Sequence, residues 1–195
     1  MKSSKDDLIS YIAILVIIIS LASIGMQITG NATVTDTAIV NVTVSSFAAI
    51  NFTVDLVNFN SGSVNDGSAG ATINTEGTVT NGTWGETLSG LTLENIGNVN
   101  VTLGLKSDKV AADYLGGTSP TFKYKVNDSA GNSGACVNNA AETYTSFTTE
   151  DVTVCSPLQF GDSADEIEID IELYIPSDSY TGEQTAIITA TGTYS

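Results

Sequence analysis

Residues Glu166–Ile175, EIEIDIELYI, alternate acidic and apolar side chains almost without a break. Successive side chains of a strand point to opposite faces, so this stretch has one buried face and one charged face, and no helical period fits it. A strand of that kind is half-buried, with one apolar face against a core and one charged face in water. Other segments repeat the pattern more briefly. Val40, Val42 and Val44 share a face opposite Asn41 and Thr43 in the predicted strand 38–44. Phe52, Val54 and Leu56 form the inward phase of a second strand, Ile50–Val57. Val57 and Phe59 then reverse that phase, which predicts a bulge or bend near residue 57.

Downstream, Asn60–Gly70 is loop by composition, Thr72–Thr75 and Gly77–Thr80 are short weak strands, and Asn81-Gly82 is a two-residue turn signal. Leu91–Asn95 and Val99–Leu105 flank Ile96-Gly97-Asn98 as the clearest predicted hairpin, with Val99, Val101, Leu103 and Leu105 inward. Asp108–Tyr114 is the one stretch after residue 26 suited to a helical turn. Phe122–Val126 is a strand with Lys123 and Lys125 outward, and Thr185–Tyr194 is a closing strand after a turn at Pro176–Gly182. About eight or nine short strands without a helical period predict a mainly β chain, an antiparallel immunoglobulin-like or jelly-roll-like sandwich.

One segment departs from this pattern. Leu8–Met26 is a charge-free apolar run that would rise about 28 Å as a helix, close to the roughly 30 Å of a bilayer's hydrocarbon core. Two readings stand: a retained membrane anchor, or a signal peptide cut near the small residues at 22–25 or 30–32. Lys2 and Lys5 favour an N-terminus inside, which places the remaining chain outside the membrane. The expected organisation is a short cytoplasmic N-terminus at 1–7, the helix or signal at 8–26, a stalk at 27–37, and an extracytoplasmic sandwich at 38–195.

The formal net charge is −16, from 22 acidic and 6 basic residues with no histidine. An acidic surface with so few cations repels phosphate backbones, which argues against nucleic acid as a partner. Without histidine there is no Ser-His-acid or Cys-His nucleophile. Glu166, Glu168, Asp170 and Glu172 line one strand face, and such a row reads as solvated surface rather than as an acid–base pair. The expectation is that the chain is not an enzyme and has no catalytic residues or cofactor. Asn65-Asp66-Gly67 and Asp162–Asp165 offer oxygens to calcium but complete no known loop, so a structural calcium ion has weak support. Cys136 and Cys155, outside the cytoplasm, predict one disulfide rather than a metal site. Asn31, Asn41, Asn51, Asn81, Asn100 and Asn127 begin Asn-x-Ser/Thr sites, candidates for N-glycosylation.

Three stretches carry a resemblance in their order: VNVTVSSFAAINFTVDLVNF, LTLENIGNVNVTLGL and YIPSDSYTGEQTAIITATGTY. Behind one N-terminal helix, they resemble biofilm-matrix fibre proteins of the TasA/camelysin type and archaeal bundling or thread pilins. Residues 1–7 lack the glycine-ended leader of type IV-like pilins, which argues against a helical-core filament. The resemblance implies an extracellular filament whose subunits each complete the next one's sandwich with an N-terminal strand. Here that strand is Ile39–Val44 within 38–47, with Ile39, Val40, Val42 and Val44 as anchors. Its alternation and its place behind a stalk support the same reading, and the groove would be lined by Val99–Leu105 or Ile167–Ile175. The same segment equally fits the first strand of its own domain. The expected partners are further copies of the chain, and the membrane if 8–26 is uncleaved. The alternative is a monomeric, membrane-anchored envelope protein, similar to the archaeal motor stator or to adhesins, that binds the surface layer or glycans.

Overall fold

Residues 35–194 are described in a computed structural model, and the chain divides after Thr43 into two units. In the first unit, residues 35–43 form neither helix nor strand, and all are exposed. The second unit contains ten strands, β1 (Asn51–Val54), β2 (Gly70–Asn74), β3 (Val79–Thr80), β4 (Leu91–Glu94), β5 (Val101–Ser107), β6 (Thr121–Asp128), β7 (Thr145–Ser146), β8 (Val152–Leu158), β9 (Glu166–Pro176) and β10 (Ile188–Tyr194). It also contains one helix, α1 (Ala111–Leu115).

The alternating run becomes β9, the longest strand and the spine of a seven-stranded sheet. One edge of β9 pairs first with β4 (Leu91 opposite Ile169) and then with β2 (Ile73 opposite Leu173). Its other edge pairs with β6 along eight residues. β1 extends the sheet beyond β4, β3 beyond β2, and β7 beyond β6. The second sheet has three strands, in the order β10–β5–β8. All recorded pairings in both sheets are antiparallel. The buried faces meet in one core, with Leu91, Leu93, Ile167, Ile169 and Ile171 on the large sheet and Val101, Leu103, Leu105, Val154 and Leu158 on the small one. Phe122, Tyr124, Tyr114 and Phe147 add tilted ring contacts at centroid distances of 4.4–5.0 Å.

Several sequence-based expectations are corrected here. Strands β4 and β5 are not a hairpin: β4 pairs with β1 and β9, whereas β5 pairs with β10 and β8. Residues 95–100 form a corner that carries the chain from one sheet to the other. Both strands present apolar residues to the same core from opposite sides, so their alternation looks like that of a hairpin. Buried Asn95 makes the corner, donating through Nδ2 to the Val99 and Leu158 carbonyls at 2.9 and 3.3 Å. β9 and β10, which follow one another around the turn at 176–182, likewise lie in different sheets. Segment 38–44 is not a strand, and Ile50–Val57 is shortened to β1, with the irregularity at Phe52/Val54 rather than near 57.

The expected N-terminal hydrophobic helix is also corrected. Among the described residues the only helix is α1, internal and five residues long. It rises about 8 Å, far short of a bilayer core, and no helix among the described residues is long and apolar enough to cross a membrane. Residues 8–26, along with the rest of 1–34, lie outside the described residues. What the structure supports is a mainly β architecture of two antiparallel sheets. The kinship with surface fibre proteins and pilins required a membrane-length helix ahead of the sandwich, and the described chain does not present one. That resemblance, the single-pass topology and the surface or extracellular placement drawn from them are set aside.

Candidate functional site

The small sheet ends at β10, whose outer edge has no partner strand among the described residues. A cleft of about 1620 Å³ opens beneath the start of β10, larger than the roughly 300–1,000 Å³ of a small-molecule pocket. Its floor is the inner face of the large sheet, Ile73, Leu91, Phe122, Ile171, Leu173 and Ile175. Residues 182–188 form one wall and the segment from Asp55 to Ala69 another.

The open edge has an unusual composition. Edge strands are commonly protected by charge, proline or bulges, because their free N–H and C=O groups recruit other strands. Ile188-Thr-Ala-Thr-Gly-Thr-Tyr194 has none of these over seven residues. Its inward phase, Ile188, Ala190 and Gly192, follows from pairing with Ser107, Leu105 and Leu103, while Tyr194 at the strand's end, opposite Val101, is exposed.

The segment that leads into the second unit is fastened close to this region's N-terminal boundary. Asn98 clasps it, accepting from Phe47 N at 2.6 Å through Oδ1 and donating through Nδ2 to the Ser45 carbonyl at 3.0 Å. The Asn98 amide also donates to the Phe47 carbonyl at 2.9 Å. A Cβ on Gly97 would come within 2.5 Å of the Phe47 oxygen, so only glycine lets the two backbones approach this closely. Upstream of the clasp, Ile39, Val40, Val42 and Val44 are 86, 91, 85 and 77% exposed.

The row of acids on β9 differs from a uniformly wet face. Asp170 is only 4% exposed and accepts from Thr75 Oγ1 and Asn127 Nδ2, both at 2.7 Å. Glu166 accepts from Ser129 Oγ at 2.6 Å, Glu168 from the Gly90 amide at 3.1 Å, and Glu172 pairs with Lys123 at 3.1 Å. Each of the four carboxylates therefore holds a neighbouring element in place. Lys125 bridges to Glu76 at 2.6 Å, and the Tyr144 hydroxyl donates to the same carboxylate at 3.0 Å.

The hydrogen bond from Lys125 holds the Glu76 carboxyl below its ordinary range, against a smaller opposing effect of burial. Burial, followed by the hydrogen bond to Glu76, pushes the Tyr144 hydroxyl up. A depressed carboxyl stabilises the fold at and above the ordinary carboxylate range and loses that contribution as pH falls through its folded value. The Tyr144 contribution has the opposite sign, present below the ordinary phenol range and lost only in strong alkali. Thermal melts between pH 7 and 3 should therefore show a steeper acid loss for the native chain than for E76Q. Because the Glu76 side chain is 44% exposed, solvent screening limits the difference to about 1 kcal/mol or less.

Cys136 and Cys155 form a disulfide, with Cα atoms 5.5 Å apart and 19 residues of separation. It fastens the 129–139 excursion to β8, beside the bridges Cys136–Leu158 and Asn139–Cys155. Closing a loop of this length is worth about 3 kcal/mol through the unfolded chain. Reduction, or C136S/C155S, should lower the urea unfolding free energy by that order.

The candidate glycosylation sites fall in different settings. Asn31 lies outside the described residues, Asn41 is exposed in the first unit, and Asn51 and Asn81 are exposed in the second. Asn100 is half-buried beside the 95–100 corner. Asn127 spends its Nδ2 on Asp170, so derivatising that nitrogen would break a half-buried hydrogen bond. Of the calcium candidates, Asp165 is buried, with its carbonyl accepting from the Asn95 amide. Among the described residues no group of three or more His, Cys, Asp or Glu side chains is arranged to hold a metal ion.

Of the two grooves expected from sequence, the cleft uses the second half of Ile167–Ile175, while Val101–Leu105 belongs to β5, the central strand of the small sheet, paired on both edges. Ile73, Leu91 and Phe122 complete the floor and were not legible as cleft residues, because which strands share a floor depends on pairing between distant segments. One local signal was available: the uncharged, proline-free run 188–194. No protein-family model matches the chain, and no curated protein or solved structure matches it either.

Proposed function

We propose that the chain is a self-assembling structural subunit, in which residues 39–44 of one copy enter the cleft of the next and pair with β10. The observation that carries this reading is the uncharged β10 edge, without a partner strand among the described residues, with an apolar-floored cleft opening at its Ile188 end. The occupant is argued from complementarity. Ala38–Val44 has seven residues, as does β10, carries no charge, and alternates so that Val40, Val42 and Val44 can face the floor together. A strand of that length spans about 23 Å. Main-chain pairing would supply affinity, and the valines would set the register.

Donor and acceptor are different surfaces of one chain, so the contact is head-to-tail and open-ended, the geometry of a filament. With a net charge of −16 per chain, copies repel one another, and added salt should promote assembly by screening. The test is light scattering and electron microscopy of the full chain beside a variant with a disabled donor. Fibres from the first and monomers from the second are expected. Equal assembly by a folded donor variant would sink the proposal.

A further inference from the structure

The cleft is partly covered by the chain's own segment 55–61. This segment is fastened at both ends. Before it, β1 pairs with β4 up to Val54. After it, Asn65 N donates to the Asn81 carbonyl at 2.9 Å and Thr83 N to the Ser63 carbonyl at 3.0 Å. The Trp84 ring packs against Gly62 and Gly82 so closely that a Cβ on Gly62 would come within 2.4 Å of it.

Between these fastenings the backbone is held differently. Among the described residues, no backbone-to-backbone hydrogen bond engages residues 56–61. Val57 and Phe59 nevertheless pack against the core and line the cleft, while Leu56 between β1 and Val57 stays 71% exposed. The register irregularity at Phe52/Val54 and the end of β1 shift the phase, so that Val57 and Phe59 turn inward. The segment thus covers apolar floor with side chains alone and adds no backbone partner to the β10 edge.

Resting on the strand-addition reading above, we infer that residues 55–61 are a displaceable strap that shields the cleft until a donor strand arrives. A donor offers both apolar side chains and a backbone ladder, whereas the strap offers only the first. The exchange therefore runs toward the donor. Until it occurs, the strap lowers the fraction of chains whose cleft is open, and apparent donor affinity falls by that fraction. Tightly fastened ends with a weakly held middle are what such local opening requires.

The experiment uses the full chain carrying V40D/V42D, which cannot donate, and a synthetic peptide of residues 37–47 as probe. Hydrogen exchange reads β10, chymotrypsin reads the strap at Leu56 and Phe59, and titration reads affinity. Peptide binding is expected to protect amides of 188–194 and to speed cleavage in the strap. Adding F59S, which weakens the strap's hold, should tighten binding about tenfold, the equivalent of one lost apolar anchor. V57A, a milder truncation, should move affinity in the same direction and serves if F59S does not fold. Protection of β10 with no faster strap cleavage and less than a twofold change in either variant overturns the strap and leaves strand addition standing. No protection of β10 by the peptide in any background overturns strand addition, and the strap with it.

Discussion

V40D/V42D is expected to leave the chain folded and monomeric under conditions in which the native chain forms fibres. Each buried valine is worth about 1.5–3 kcal/mol, so the three on one face of the donor supply most of its apolar gain. Association costs about 4–15 kcal/mol in lost freedom before any net affinity appears. Losing two of three anchors removes the surplus, and two carboxylates would then have to be buried without partners over Ile73, Leu91 and Ile171. Both sites are at least 85% exposed in the free chain, so the substitutions cost the fold little. Unchanged thermal melting together with a monomeric sedimentation coefficient is the expected pair of results. A substitution of similar exposure outside the donor, such as Leu88→Asp, should leave fibres intact.

The second large effect is expected at Asp170. D170A removes the acceptor for both the Thr75 hydroxyl and the Asn127 amide, in a site where the carboxylate itself is almost fully buried. Lys125, 3.9 Å away, keeps its shorter bridge to Glu76. Leaving a buried hydroxyl and a half-buried amide without their acceptor should cost about 3 kcal/mol in urea unfolding, a large share of the roughly 5–15 kcal/mol of a typical domain. T75A should cost less, and the double variant should fall short of the sum because both act on one network. Thr75 also accepts from Ile171 N at 3.0 Å and donates its own amide to the Ile171 carbonyl at 3.0 Å. The loss should therefore loosen the end of β2 against β9, which hydrogen exchange at Ile73–Thr75 would detect. A D170A chain as stable as the native one would show that the network is surplus to the fold.

The contrast between Asp170 and its neighbours marks how far sequence reasoning reaches. Alternation in 166–175 was sufficient to identify a strand with acids on one face, because the two-residue period is a local property of extended backbone. The depth of each acid was not local. Asp170 is buried because Thr75, in the turn that follows β2, and Asn127, on β6, converge on it from 95 and 43 residues away in sequence.

The 95–98 turn makes the same point in another way. Asn-Ile-Gly-Asn reads as the tip of a hairpin, and the strands on either side do exist. The turn instead moves the chain between sheets and clasps residues 45–47. A hairpin and an inter-sheet corner share one apolar pattern, since either places alternate residues in the same core. Only the partner strands distinguish them.

By itself the sequence determined the β architecture, the inward phase of β5, β6 and β9, the outward lysines of β6, and the alternation of 38–44. All of these follow from the period of side chains along extended backbone and from the solvation cost of charge. Tertiary structure alone decided that β10 ends its sheet among the described residues, that the cleft floor joins residues from β2, β4, β6 and β9, and that Val57 and Phe59 cover part of that floor. An open edge and an apolar cleft are properties of missing neighbours, and no segment encodes its neighbours within its own length.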